Sequence, residues 1–309
     1  MRRLVGTICS YFDFEGEYCD DWVHRVTSGR HLDIGVNLER GFGLADMSRT
    51  GLVPVTGFNF KPETFVLGQD DQNRKLAACG IDASVFGSYV DAAFLIGAGI
   101  HVGIRNGISA EGNVNMLQRL IQRRQVRLGE TLTGQGYIKA VTEVPRGWTV
   151  DTEVWFEDRD GQVVISVPRR SLKPDPDKVG RQGAGQRPAA VIKDLSLLRV
   201  AANYELTPAA VKDYSSEGNS IHYEMEAANR AGFRAPIIGG GMGVHYLTAA
   251  LWSRFSPSSF DLDIYFRRPI FWDQAFTVKY DTMDAGRWSA IGLCSEDKVL
   301  TEAKIESLV

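Results

Sequence analysis

The chain has 309 residues, 44% hydrophobic and 24% charged, and its 35 Lys+Arg against 38 Asp+Glu leave a formal net charge of -3. This balance matches a globular protein long enough for two domains or one duplicated domain, and it gives no general attraction to nucleic acid or anionic lipid. No apolar run approaches the roughly 18 residues of a membrane span, and the basic start turns acidic before an apolar core of signal-peptide length, so the expectation is a cytoplasmic protein with no membrane or nucleic-acid partner.

Residues 1–55 form an expected extension, with the aromatic stretch SYFDFEGEYCDDWVHRV packed on a core. A first repeat over 56–172 follows. KPETFVLGQDDQNRKLAACG leads into an apolar helix, YVDAAFLIGAGIHVG, and then into strands at VNMLQRLIQRRQV, TLTGQGYIKAV, WTVDTEVWFEDRDG and QVVISVPRRSL. Residues 173–190, rich in proline, glycine and charge, read as a linker. In the second repeat, 191–309, TPAAVKDYSSEGNSIHYEMEAANRAGF gives short helical segments. PIIGGGMGVHYLTAALWSRF gives the long apolar helix, and FDLDIYFRRPIFW, AFTVKYDTMD, RWSAIGLCSE and KVLTEAKIESLV give strands. Helix followed by consecutive strands argues an α+β fold with antiparallel sheet.

Sliding the chain on itself by 144 residues brings Gly97, Gly99, His101, Ser109, Arg123, Arg124 and Thr133 onto Gly241, Gly243, His245, Ser253, Arg267, Arg268 and Thr277. At an offset of 136, Val163, Ser171 and Leu172 meet Val299, Ser307 and Leu308. The eight-residue difference is what one hairpin of different length would produce. The core therefore reads as two copies of one unit, a long helix wrapped by strands.

Glu217, Asn219 and His222 open a helical run in the second copy. Two readings stand side by side: a helix start, with Asn219 or Ser220 as N-cap and Glu217 before the positive end, or a reaction centre. In the second, a carboxylate and an imidazole reach one water, and Asn219 holds the geometry through its amide. At the 144-residue offset these three fall on Asn73, Lys75 and Ala78, so the polar set belongs to one copy only.

The glycines of PIIGGGMG can expose backbone N–H groups at a helix tip toward a carbonyl gaining charge, or can serve close packing. Gly241 and Gly243 recur as Gly97 and Gly99, which favours packing for them, whereas Gly239 and Gly240 face Leu95 and Ile96. Arg267 and Arg268 read either as strand-face charges or as contacts to the phosphates of a nucleotide-bearing substrate. GAGIHVG lacks the dinucleotide spacing and lies within a helix. His101 and His245 read as structural. The four cysteines form no CxxC pair and sit at no zinc spacing.

The segment YSSEGNSIH, followed by AGFRAPIIGGGMG and FRRPIFWDQAFTV, resembles the MaoC-like, or hydratase 2, enoyl-CoA hydratases and dehydratases, whose motif is Tyr or Phe, a spacer, then D-x-N-P-x-H. The resemblance covers about 100 residues of the second half. It implies a double hot dog fold, in which one half keeps the motif and the other shapes the acyl pocket. It makes Glu217, Asn219 and His222 the catalytic set and places Gly240 or Gly241, beside Gly239, near the donor for the thioester carbonyl. Glu217 stands where the family has aspartate, one methylene longer, and Ser220 where it has proline. The resemblance further implies hydration of a 2-enoyl-CoA with no metal, flavin or nicotinamide; a hot-dog thioesterase and a non-catalytic acyl-thioester binder are the alternatives. A homodimer is expected because such sheets pair or cover their edges.

Overall fold

A computed structural model describes residues 52–178, 183–185, 187–215, 218–282 and 286–309. Most of the expected extension, parts of the linker, Cys9, Cys19 and Glu217 lie outside the described residues.

The first repeat runs β1 (Glu63–Val66), α1 (Gln69–Ala78), a 3-10 turn at Ala83–Phe86, α2 (Phe94–Arg105), β2 (Val114–Gln122), β3 (Thr131–Val144), β4 (Gly147–Glu157), β5 (Val163–Ser166) and β6 (Arg169–Pro174). The second runs β7 (Arg199–Glu205), α3 (Pro208–Tyr214), a 3-10 turn at Ser220–His222, α4 (Met225–Arg230), α5 (Gly240–Phe255), β8 (Phe260–Phe266), β9 (Ala275–Thr282), β10 (Trp288–Ser295) and β11 (Lys298–Leu308). All strands among the described residues join one 11-stranded antiparallel sheet in the order β1-β3-β4-β5-β2-β8-β11-β10-β9-β7, with β6 continuing beside β2 and β4. The β2–β8 pair joins the halves, and each half-sheet packs on its own apolar helix. Leu120, Phe156, Leu262 and Ile291 from the strands are buried in one core with Val102 of α2 and Val244, Leu247 and Leu251 of α5.

Registers make the duplication quantitative. Across the β2–β8 junction Arg119 pairs with Asp263, its own counterpart 144 residues on, so a pseudo-twofold axis passes between them. Thr133 pairs with Glu157 and Thr277 with Cys294, so the offset falls from 144 to 137 within the β3–β4 hairpin, which is the longer of the two. One hairpin thus accounts for seven of the eight residues.

The structure corrects three details of the expectation. QVVISVPRRSL is two strands, because Pro168 has no N–H for the ladder. Arg199–Glu205 is a strand that the sequence reading left unassigned. The third detail is the alignment of the polar set. Thr64 pairs with Thr133 and Asn203 with Thr277, so the copies start 139 residues apart. The capping residues of the two 3-10 turns, Asp82 and Asn219, are then 137 apart. The counterparts of Asn219 and His222 are therefore Asp82 and Val85, in place of Lys75 and Ala78. The short helix α4, inserted only in the second repeat, restores the offset near 144 before α5.

Candidate functional site

The segment after α3 turns at Gly218, whose φ of +73° suits glycine, and enters the 3-10 turn at Ser220–His222. Asn219 caps that turn only in its backbone position, since its side chain makes no cap hydrogen bond. Instead the amide spans the two repeats. Nδ2 donates to Asn113 O at 2.9 Å and Oδ1 accepts from Gly112 N at 3.1 Å, which ties the turn to the residues just ahead of β2. Ser220 adds a second tie, its N–H donating to Glu111 Oε2 at 3.2 Å and its hydroxyl to Oε1.

His222 is buried, 7% exposed, with Nδ1 2.7 Å from Ile237 O. A carbonyl only accepts, so Nδ1 carries a proton, and in the neutral tautomer the lone pair lies on Nε2. Ile237 N in turn donates to Ile221 O at 3.3 Å, so the strand-like residues before α5 and the histidine turn hold each other. The ring thus hangs from Ile237, within PIIGGGMG itself.

Gly239 is the N-cap of α5 and Gly240 its first residue. A Cβ at Gly240 would lie 2.8 Å from Phe266 Cζ and 2.9 Å from Asn115 Nδ2, so a side chain here would force Phe266 or Asn115 to shift. Gly241 faces Ile96 and the Tyr214 hydroxyl at ordinary contact distance, 3.7 Å. Gly243 N returns to Gly239 O at 3.3 Å, and the amides before it are those that an α-helix leaves without an intrahelical acceptor. With the dipole behind them they favour a partial negative charge.

Beneath this tip, His245 of α5 is fully buried, its Nδ1 donating to Asp91 Oδ2 at 2.6 Å and its Nε2 meeting the Tyr214 hydroxyl at 2.8 Å. Asp91 also accepts from Ala93 N at 3.0 Å, and its own N–H donates to Gln72 Oε1 at 2.9 Å. This chain ties both repeats together under the helix tip. Its histidine was read as structural and Tyr214 is the tyrosine that opens YSSEGNSIH; Asp91 carried no local signal.

The remaining residues lie elsewhere. Arg267 has a nearly buried side chain: Nε donates to Glu302 Oε1 at 2.6 Å, Nη1 to Pro188 O at 2.9 Å and Nη2 to Ala189 O at 2.7 Å. Its guanidinium fastens the chain before β7 to β11. Arg268 is exposed, with one bond to Val299 O at 2.7 Å. Cys79 and Cys294 are free and buried, and burial pushes both thiols up, Cys294 to about 11.

Two helices, each wrapped by half of one continuous antiparallel sheet, define the double hot dog fold, and this chain has the fold of the MaoC-like dehydratases. HtdX from Mycobacterium tuberculosis superposes with a TM-score of 0.62 at 17% identity, over 79% of this chain and 97% of that one. A MaoC-like dehydratase from Phytophthora capsici gives 0.60 at 18%, over 81% and 97%. A structure named as a putative oleoyl thioesterase from Lactobacillus plantarum gives 0.51 at 12%, over 81% and 96%. By sequence, no family model and no curated protein matches the chain. No helix among the described residues is long and apolar enough to cross a membrane.

Proposed function

We propose that the protein catalyses reversible hydration of a 2-enoyl-CoA to a 3-hydroxyacyl-CoA, the reaction of a hydro-lyase. The observation that carries this reading is the His222 ring, bonded through Nδ1 to Ile237 O, on the segment that leads into the glycine tip of α5, so that in the neutral ring Nε2 is the basic nitrogen. Nε2 and the carboxylate of Glu217, five residues earlier, hold the water between them. One takes its proton as oxygen bonds to C3; the other delivers a proton to C2. Amides around Gly239, Gly240 and Gly241 stabilise the thioester oxygen as it gains enolate character. Asn219 acts by positioning, since both ends of its amide are engaged by the first repeat. Arg268, exposed near the chain's surface, is the arginine of the pair that keeps a role toward CoA phosphates; Arg267 is committed to Glu302 and two carbonyls. The reading keeps a homodimer as the assembly.

A thioesterase is the second reading, favoured by the structural likeness to a putative thioesterase. There the same water attacks the carbonyl and CoA leaves.

Incubation with a panel of 2-enoyl-CoA thioesters, followed by loss of the conjugated absorbance, tests the proposal. Turnover is expected, and His222→Ala or Glu217→Ala should lower kcat by about 100-fold or more. Release of free CoA with the double bond intact decides for the thioesterase. Unaltered turnover in His222→Ala contradicts both readings.

A further inference from the structure

The registers permit a position-by-position comparison of the two half-sheets on their helix-facing side. Arg169 pairs with Gln118, and the corresponding pair in the second repeat is Ile305 with Leu262. Gln122 corresponds to Phe266 by the same 144-residue offset. Where one repeat closes its core with hydrocarbon, the other places a guanidinium and two carboxamides. The fold itself does not require them there.

Arg169 faces inward. Val167, two residues earlier, comes within 2.9 Å of where a Cβ on Gly99 of α2 would stand, so alternate residues along this stretch point at the helix. Thr152, paired with Arg169 on β4, lies beside Val154, which touches the same glycine. Among the described residues the Arg169 guanidinium has no carboxylate partner, and its Nε is buried without an acceptor. Burial alone pushes its pKa down to about 10, so it stays charged at neutral pH. Gln118 Oε1 and Asn115 Oδ1, on the same face of β2, are buried without a donor. The guanidinium is half-buried and has no carboxylate beside it among the described residues, so it is a donor group that an entering anion would match; the two amide oxygens are acceptors, which an anion does not satisfy.

The face also connects to the reaction centre. Asn219 grips Asn113 O, two residues from Asn115; Asn115 Nδ2 lies 2.9 Å from the Gly240 Cβ position; and Ser171, paired with Asn115, is two residues from Arg169 on β6. Two residues of strand cover about 7 Å, the reach of a short acyl chain.

We propose that Arg169 receives a carboxylate at the far end of the acyl group, so that the substrate is a short 2-enoyl thioester carrying a second, free carboxylate. A guanidinium matches a carboxylate in two parallel bonds, and Asn115 can turn its amide N–H toward the same anion. The orientation of the acyl chain rests on the hydration reading; the anion site itself does not.

Calorimetric titration with succinyl-CoA, butyryl-CoA and CoA, on the wild type and on Arg169→Met, tests it. Succinyl-CoA is expected to bind at least about tenfold tighter than butyryl-CoA, and Arg169→Met should bring the two within about twofold. Equal affinities in the wild type, or a preference that survives Arg169→Met, overturns the proposal. So does CoA alone binding as tightly as succinyl-CoA with the same dependence on Arg169, which assigns the anion to a CoA phosphate. Removing an uncompensated charge should also raise the Tm of the unliganded protein; a lower Tm would make the guanidinium structural and overturn the proposal. If the binding preference holds while no enoyl thioester is hydrated, the hydration reading fails and the anion site stands.

Discussion

The turns at Ala83–Phe86 and Ser220–His222 occupy the same place in the two repeats, yet they are held in opposite ways. Asp82 caps its own turn, its carboxylate accepting from Ser84 N at 2.9 Å, and the turn carries only Ala, Ser, Val and Phe. Asn219 leaves its own turn uncapped and holds the other repeat's loop, while His222 fills the place of Val85. The sheet faces differ in the reverse sense, polar at Gln118, Gln122 and Arg169 in the first repeat and apolar at Leu262, Phe266 and Ile305 in the second. Symmetry is kept where the core must close. It is broken where polar groups meet at the boundary, each half supplying what the other lacks.

The largest expected effect comes from erasing that difference. Ile305→Arg would bury an unpaired charge in the apolar repeat and cost about 3–5 kcal/mol of unfolding free energy, measured by chemical denaturation. Equal tolerance of arginine at 305 and 169 would remove the contrast between the faces.

Asn219→Ala tests the boundary. It leaves the Gly112 N–H and Asn113 carbonyl without their partner, for about 1–3 kcal/mol. The His222 turn loses its tie to β2, so kcat should fall about tenfold or more with KM little changed. Loss of stability at full kcat would show that the clamp does not position the ring.

The smallest effect concerns a surface cluster in the first repeat alone. Hydrogen bonds from Arg124 hold the Glu130 and Asp158 carboxyls below their ordinary values. A carboxylate with a lowered folded pKa contributes stability that is present above the unfolded value of about 4 and is lost as pH falls through the folded one. Arg124→Met should therefore lower Tm slightly near pH 7, and the difference from the wild type should shrink as pH falls below about 4. Parallel Tm profiles for the two proteins would contradict this.

Much of the fold was legible in sequence because the long helices and the β2 and β8 strands repeat without gaps, and seven identities at one offset mark them. The offset changes wherever a connection changes length. For that reason His222 was set against Ala78 when its structural counterpart is Val85, and the inserted α4 hid the shift. Asn219 and His222 could be picked out by residue type and spacing. Arg169 could not: in sequence it is one of two adjacent arginines on a strand, and Arg170 is an ordinary surface partner of Asp151, at 2.6 Å. The alternation from Val167, which points at Gly99 of α2, shows which of the two faces the helix.

The most direct test of a single reaction centre in the second repeat follows the oxygen. A 2-enoyl-CoA turned over in 18O-labelled water should gain the label in its C3 hydroxyl with the thioester intact, and His222→Ala should abolish that incorporation. Label appearing in a released carboxylate, or undiminished at C3 in the variant, would contradict it.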